Sequence, residues 1–104
     1  MSSTARHGKE KMREKEIEQH LVMEVKRRGG IAPKLTSPGF SGMPDRLVLL
    51  PHRKMGFVEV KQKGMKPRPL QMARHQALRT LGYLVFVLDD KEKIGEILDE
   101  ICSA

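Results

Sequence analysis

Three side chains near the middle of the chain have the types and spacing to handle a phosphate ester: Asp45, Glu59 and Lys61, within "GMPDRLVLLPHRKMGFVEVKQKG", residues 42–64. In a strand, residues two apart share a face, so Phe57, Glu59 and Lys61 point one way and Val58 and Val60 the other. Asp45 enters the preceding apolar run on the parity of Leu47 and Leu49. In a suitable hairpin register, Asp45 and Glu59 meet on one face at one end of a sheet. Two carboxylates at the rim of a low-dielectric core repel each other, and a cation removes that penalty. Oxygen ligands suit Mg²⁺, which keeps several waters and shares substrate phosphates. Mg²⁺ or Mn²⁺ held this way polarises a phosphate and turns a water into a hydrolytic nucleophile. A lysine alongside positions that water or offsets developing charge, and it eases the gathering of carboxylates. The same Glu-x-Lys letters also arise as a solvent-facing pair on a strand whose valines pack inward. The Gly-x-Pro-Asp at the strand entry, the intervening hairpin and the basic loop that follows argue for the chemical reading.

The elements that must hold these groups are legible from periodicity. A helix runs from about Glu10 to Arg28, with Ile17, Leu21 and Val25 as one apolar stripe and "RRGG" as its stop. "IAPKL" is a short strand that Pro33 places at an edge, and "TSPGFSGMP" is a loop. "RLVLL" (46–50) and "GFVEVKQ" (56–62), joined by "PHRKM", form an antiparallel hairpin. After the basic loop "KGMKPRP", a helix shows Leu70, Ala73, Ala77 and Leu81 at helical spacing and ends at Gly82. "YLVFVL" (83–88) has the continuous apolar character of a strand buried on both faces. The last helix carries Ile94, Ile97, Leu98 and Ile101 on one face, with Asp89 or Asp90 as N-cap. The order is α-β-β-β-α-β-α. The segment 56–88 forms a crossover between parallel strands, so the class is α/β with a mixed sheet. Residues 1–9 are a flexible basic N-terminus and 10–104 a single domain.

Twenty Lys and Arg against thirteen Asp and Glu give a formal charge of +7 over 104 residues. A domain this basic suits a polyanion, since phosphates gain from cations through counterion release. Lys63, Lys66 and Arg68 follow the Glu59 strand directly and could track backbone phosphates; Lys34 and Arg74 are further candidates. A protein of this size has little surface for reading a long sequence, so backbone and shape are the expected targets. The single cysteine, Cys102, excludes an internal disulfide framework. The four histidines show no ligand pairing suited to zinc, and His20 and His75, set among charges, read as surface residues. No phosphate-cradling Gly-x-x-x-x-Gly-Lys motif is present, so no nucleotide cofactor is expected. No run of about 18 apolar residues exists, and no signal segment is seen, which points to a soluble intracellular protein without membrane attachment.

Together, "GMPDRLVLL…GFVEVKQ", the "PLQ" that follows and the Glu-rich helix ending in "GG" resemble the PD-(D/E)xK nucleases. They are closest to the VRR-NUC (virus-type replication-repair nuclease) domains of small stand-alone phage and bacterial type, over about residues 14–90. The resemblance implies a restriction-endonuclease-like αβββαβ core and a Mg²⁺- or Mn²⁺-dependent endonuclease. Asp45 and Glu59, with the carbonyl of Val60, would be metal ligands, and Lys61 the catalytic lysine. Gln71 would open the next helix beside the site. Where related nucleases carry a tyrosine four residues beyond that glutamine this chain has His75, to which no role is carried over. The family also supplies a helix glutamate, here Glu14 or Glu18. Stand-alone members resemble homodimeric junction resolvases, which implies branched DNA, four-way junctions above all, and the cytoplasm of a bacterium or phage-infected host. The competing reading is a non-catalytic nucleic-acid-binding module, or a nuclease subunit that needs a partner.

Overall fold

Helix α1 (Glu14–Arg27) buries Ile17, Leu21 and Val25 completely, the stripe its spacing predicts. Glu16 at its N-terminus accepts the Arg13 N–H, and the helix ends where Gly29 takes a φ of 88°, a conformation that suits glycine. The structure, a computed structural model, describes residues 13–104. The N-terminal segment at 1–9 and the helix start expected at Glu10 lie outside the described residues.

Strands β1 (Arg46–Leu50) and β2 (Lys54–Val60) pair antiparallel, and β2 pairs parallel with β3 (Val85–Leu88), in the order β1-β2-β3. The hairpin turns through Pro51–Arg53, with His52 and Arg53 both at positive φ. "IAPKL" does lie against β1, but as two isolated bridges, Ile31 with Leu49 and Lys34 with Arg46. Pro33 explains the reduction: it has no N–H to give, so its carbonyl accepts from Leu47 at 3.1 Å and Leu35 N–H donates to the Asp45 carbonyl at 2.8 Å. On the outward side of this segment the Ala32 carbonyl accepts from Arg46 Nη1 at 2.8 Å. At the other end of the sheet, Arg79 Nη2 donates to the Val85 carbonyl at 2.9 Å.

One sheet face, formed by Val48, Leu50, Val58 and Val60, packs with Leu88 against α1 and against α3 (Ile94–Cys102), whose Ile94, Ile97, Leu98 and Ile101 are all buried. Approach there is close: a Cβ on Gly56 would stand 2.8 Å from Ile101 Cδ1. Asp90 caps the 3₁₀ turn Lys91–Lys93 that leads into α3 by accepting the Glu92 N–H. The strand expected over 83–88 is shorter, and it is not buried on both faces. It sits at the sheet margin, where Tyr83 is exposed, Phe86 and Val87 are half-buried, and Tyr83 meets Phe57 edge to face at 5.9 Å.

Helix α2 (Pro69–Thr80) covers part of the other face, and here the sequence expectation is reversed. The stripe Leu70, Ala73, Ala77 and Leu81 faces outward, Leu70 being 52% and Leu81 72% exposed. The buried residues of α2 are instead Gln71 and His75, one turn apart. The helix turns its polar side inward because the sheet presents a carboxylate there, and a buried carboxylate demands polar partners. Among the described residues no helix is long and apolar enough to cross a membrane.

Candidate active site

The hairpin register settles the parity argument. Arg46 pairs with Val58 and Leu47 with Phe57, so Asp45, one step before the strand, falls opposite Glu59. Pro44, fully buried, delivers the chain into that position. Asp45 Oδ2 accepts the backbone N–H of Val60 at 2.8 Å. In a strand the N–H and C=O of one residue point to the same side, so the Val60 carbonyl also faces the Asp45 side.

Glu59 is only 1% exposed. Its Oε2 accepts from Gln71 Nε2 at 2.8 Å and lies 3.5 Å from Lys61 Nζ. Its Oε1 lies 3.6 Å from His75 Nε2, and neither of these buried atoms has a hydrogen-bond partner among the described residues. Gln71 is held at its other end, because Oε1 accepts the Arg68 N–H at 2.8 Å at the start of α2. Pro69 at the first helical position suits that start, since its missing N–H would have been unsatisfied anyway.

The electrostatics follow from burial. Desolvation first, then the charge of Asp45, push the Glu59 carboxyl from 4.5 to about 7, against the pull of Lys61. Asp45 is also raised, chiefly by burial, with the Val60 N–H opposing. Glu14 is raised by partial burial and then by Asp45. His75 is lowered by burial and then by Arg79 and Lys61. Two raised carboxyls side by side, one with an orphaned oxygen, form a site short of positive charge.

The two helix glutamates separate. Glu18 Oε2 accepts from Arg46 Nε at 2.8 Å in a half-buried ion pair, whereas the Glu14 carboxyl is coupled to Asp45. Both line a groove with Lys34 and Arg46. Of the basic candidates, Lys66 and Arg68 are exposed, and Lys63 pairs with Asp90 at 3.1 Å. Arg74 lies 3.8 Å from the centre of the Phe40 ring and donates to the Ser41 carbonyl at 2.9 Å. His20 is exposed, as expected; His75 is not a surface residue but is 2% exposed, against Glu59. Its spacing of four from Gln71 was the available signal, since that places both on one helix face.

A solved structure described as a VRR_NUC domain superposes on this chain with a TM-score of 0.79 at 33% identity, over 83% of this chain and 94% of that one. The chain belongs to the VRR-NUC nuclease family. The mixed sheet with flanking helices is thus the restriction-endonuclease-like VRR-NUC fold. In sequence, this VRR-NUC chain is 53% identical over 81 residues to "Putative nuclease p44" of Acyrthosiphon pisum secondary endosymbiont phage 1, covering 78% of this chain and 87% of that protein. No family profile matches the sequence.

The donor set of this VRR-NUC site can be tested against a divalent ion. Among the described residues no three His, Cys, Asp or Glu side chains converge into a cage. Asp45, Glu59 and the Val60 carbonyl instead offer an all-oxygen donor set of two carboxylates and one carbonyl. That fits Mg²⁺ or Mn²⁺, which bind through one or two carboxylates and leave positions for water and phosphate. It does not fit zinc, which asks for nitrogen or sulfur in tetrahedral closure.

Proposed function

We propose that this VRR-NUC domain is a Mg²⁺- or Mn²⁺-dependent endonuclease that hydrolyses phosphodiester bonds in branched DNA, four-way junctions above all. The observation that carries it is the juxtaposition of Asp45 and Glu59 across the hairpin, with Lys61 beside Glu59. Asp45 and Glu59 would hold the ion, with the Val60 carbonyl and Glu14 beside them. The chemistry a divalent ion supplies there is Lewis acidity toward the scissile phosphate and toward water. Gln71 fixes the orientation of Glu59. The Lys61 ammonium, half-buried beside Glu59, orients the attacking water and offsets charge growing on the phosphoryl oxygens. Lys34, Lys63, Lys66, Arg68 and Arg74 receive the DNA backbone. The charge of +7 supports a nucleic-acid substrate, and symmetric nicking of a junction suits two copies acting together in the cytoplasm of a bacterial or phage-infected cell.

The test is incubation with an end-labelled four-way junction, a flap and a linear duplex, each with Mg²⁺, Mn²⁺ or EDTA, for the wild type and Asp45→Ala. Cleavage of branched substrates that needs the ion and Asp45 is the expected result. Binding without cleavage under every condition would return the non-catalytic module reading. Equal cleavage of linear duplex would remove the preference for branches.

A further inference from the structure

We infer that His75 is a positioning residue, whose Nε2–H holds the second oxygen of Glu59 while Gln71 holds the first. This deepens the proposed metal-dependent function and rests on it. Gln71 fixes only Oε2, and the terminal torsion of a glutamate is broad, so one hydrogen bond leaves the carboxylate plane free to rotate. His75 stands one helical turn beyond Gln71 on the same buried face and brings Nε2 to 3.6 Å from Oε1. That separation is about 0.5 Å longer than a usual N–H···O bond, a gap that a small rotation of either side chain closes. Hydrogen bonds in such sites are often long before the reacting complex forms and tighten with it.

Neither atom has another partner among the described residues. Burying an imidazole nitrogen against a carboxylate oxygen without a bond costs more than burying an aliphatic side chain there. A helix needing only bulk at this position would be served by leucine. An imidazole N–H at Nε2 is the donor that this Glu59 oxygen lacks. This is the arrangement by which groups behind a ligand set its direction, and their removal typically lowers metal affinity about 10- to 100-fold.

The experiment is a calorimetric titration of Mn²⁺ into the full chain without DNA, for the wild type, Asp45→Ala, His75→Leu and His75→Gln. Glutamine keeps an amide donor within reach of Glu59. Affinity in His75→Leu falls roughly 10- to 100-fold and in His75→Gln returns to near the wild-type value. Undiminished affinity in His75→Leu, or a loss in His75→Gln equal to that in His75→Leu, overturns the inference while the metal reading stands. A wild type that binds no Mn²⁺ sinks the metal reading and the inference with it. Should His75→Leu fail to fold, nitrogen NMR of the wild-type imidazoles at pH 8 decides, with His75 assigned by its loss in His75→Gln. A protected proton on Nε2 supports the assignment; a ring protonated on Nδ1 overturns it.

Discussion

Gln71 Nε2 donates to Glu59 Oε2 at 2.8 Å while Gln71 Oε1 accepts the Arg68 N–H at the same distance. One side chain therefore starts helix α2 and fastens that helix to the carboxylate of β2. Replacing it by alanine removes both bonds. Gln71→Ala should cost about 1–2 kcal/mol of stability, read by urea denaturation, and lower cleavage about 10- to 100-fold. Full activity with reduced stability would confine Gln71 to helix capping.

The buried Glu59 carboxyl links stability to pH. Its pKa is raised in the folded chain, from 4.5 to about 7, so between these values the folded protein binds a proton that the unfolded chain has released. The Glu59 contribution is then fully present below about 4.5 and is lost as pH rises through about 7, by on the order of 3 kcal/mol. Asp45 and Glu14 are raised and act in the same sense. His75, lowered, acts in the opposite sense, adding stability as pH rises toward its ordinary 6.5. Glu59→Gln isolates the term: metal-free, the variant should gain on the wild type steadily from pH 5 to 8. A stability difference that stays flat over that range would contradict a charge held in a costly place.

Glu14 and Glu18 should part company under mutation. Glu18→Ala leaves Arg46 without its half-buried partner and should lower the unfolding free energy by about 1–2 kcal/mol. Glu14→Ala breaks no ion pair among the described residues and should leave stability within about 0.5 kcal/mol. It should weaken Mn²⁺ binding in the titration, because its carboxyl is coupled to Asp45. The reverse pattern would make Glu18 the glutamate of the site.

Lys61→Met removes the ammonium 3.5 Å from Glu59 and keeps the length of the side chain. Cleavage should drop on the order of a hundredfold or more, while Mn²⁺ affinity persists or rises, since a competing cation is gone. Parallel loss of both would make Lys61 a prop for the carboxylate rather than a participant in the chemistry.

Much of this was legible in the sequence, for reasons that differ from element to element. Ile17, Leu21 and Val25 could be read because an amphipathic stripe facing a plain apolar core obeys only the helical period. Asp45 opposite Glu59 could be read because strand parity and a short hairpin leave few registers. Helix α2 misled because its apolar residues, Leu70, Ala73, Ala77 and Leu81, are not its inner face. Periodicity assumes that the inside is greasy, and beside Glu59 the inside is polar; the charges around His75 in sequence likewise point it to the surface, although its partner is a buried carboxylate. Glu14 and Glu18 could not be separated in advance, since both lie one turn apart on the same helix and only the tertiary reach of Arg46 distinguishes them.

The two arginine-to-carbonyl bonds at the margins of the sheet bear on how copies of the molecule can meet. Arg46, itself paired with Glu18, occupies the outward Ala32 carbonyl, and Arg79 occupies the outward Val85 carbonyl. A neighbouring chain that tried to add a strand would have to displace a guanidinium from a carbonyl. Strand addition, the usual route from an open sheet to aggregates, is thereby discouraged at both ends. Contact between copies through side-chain surfaces would leave both of these bonds intact.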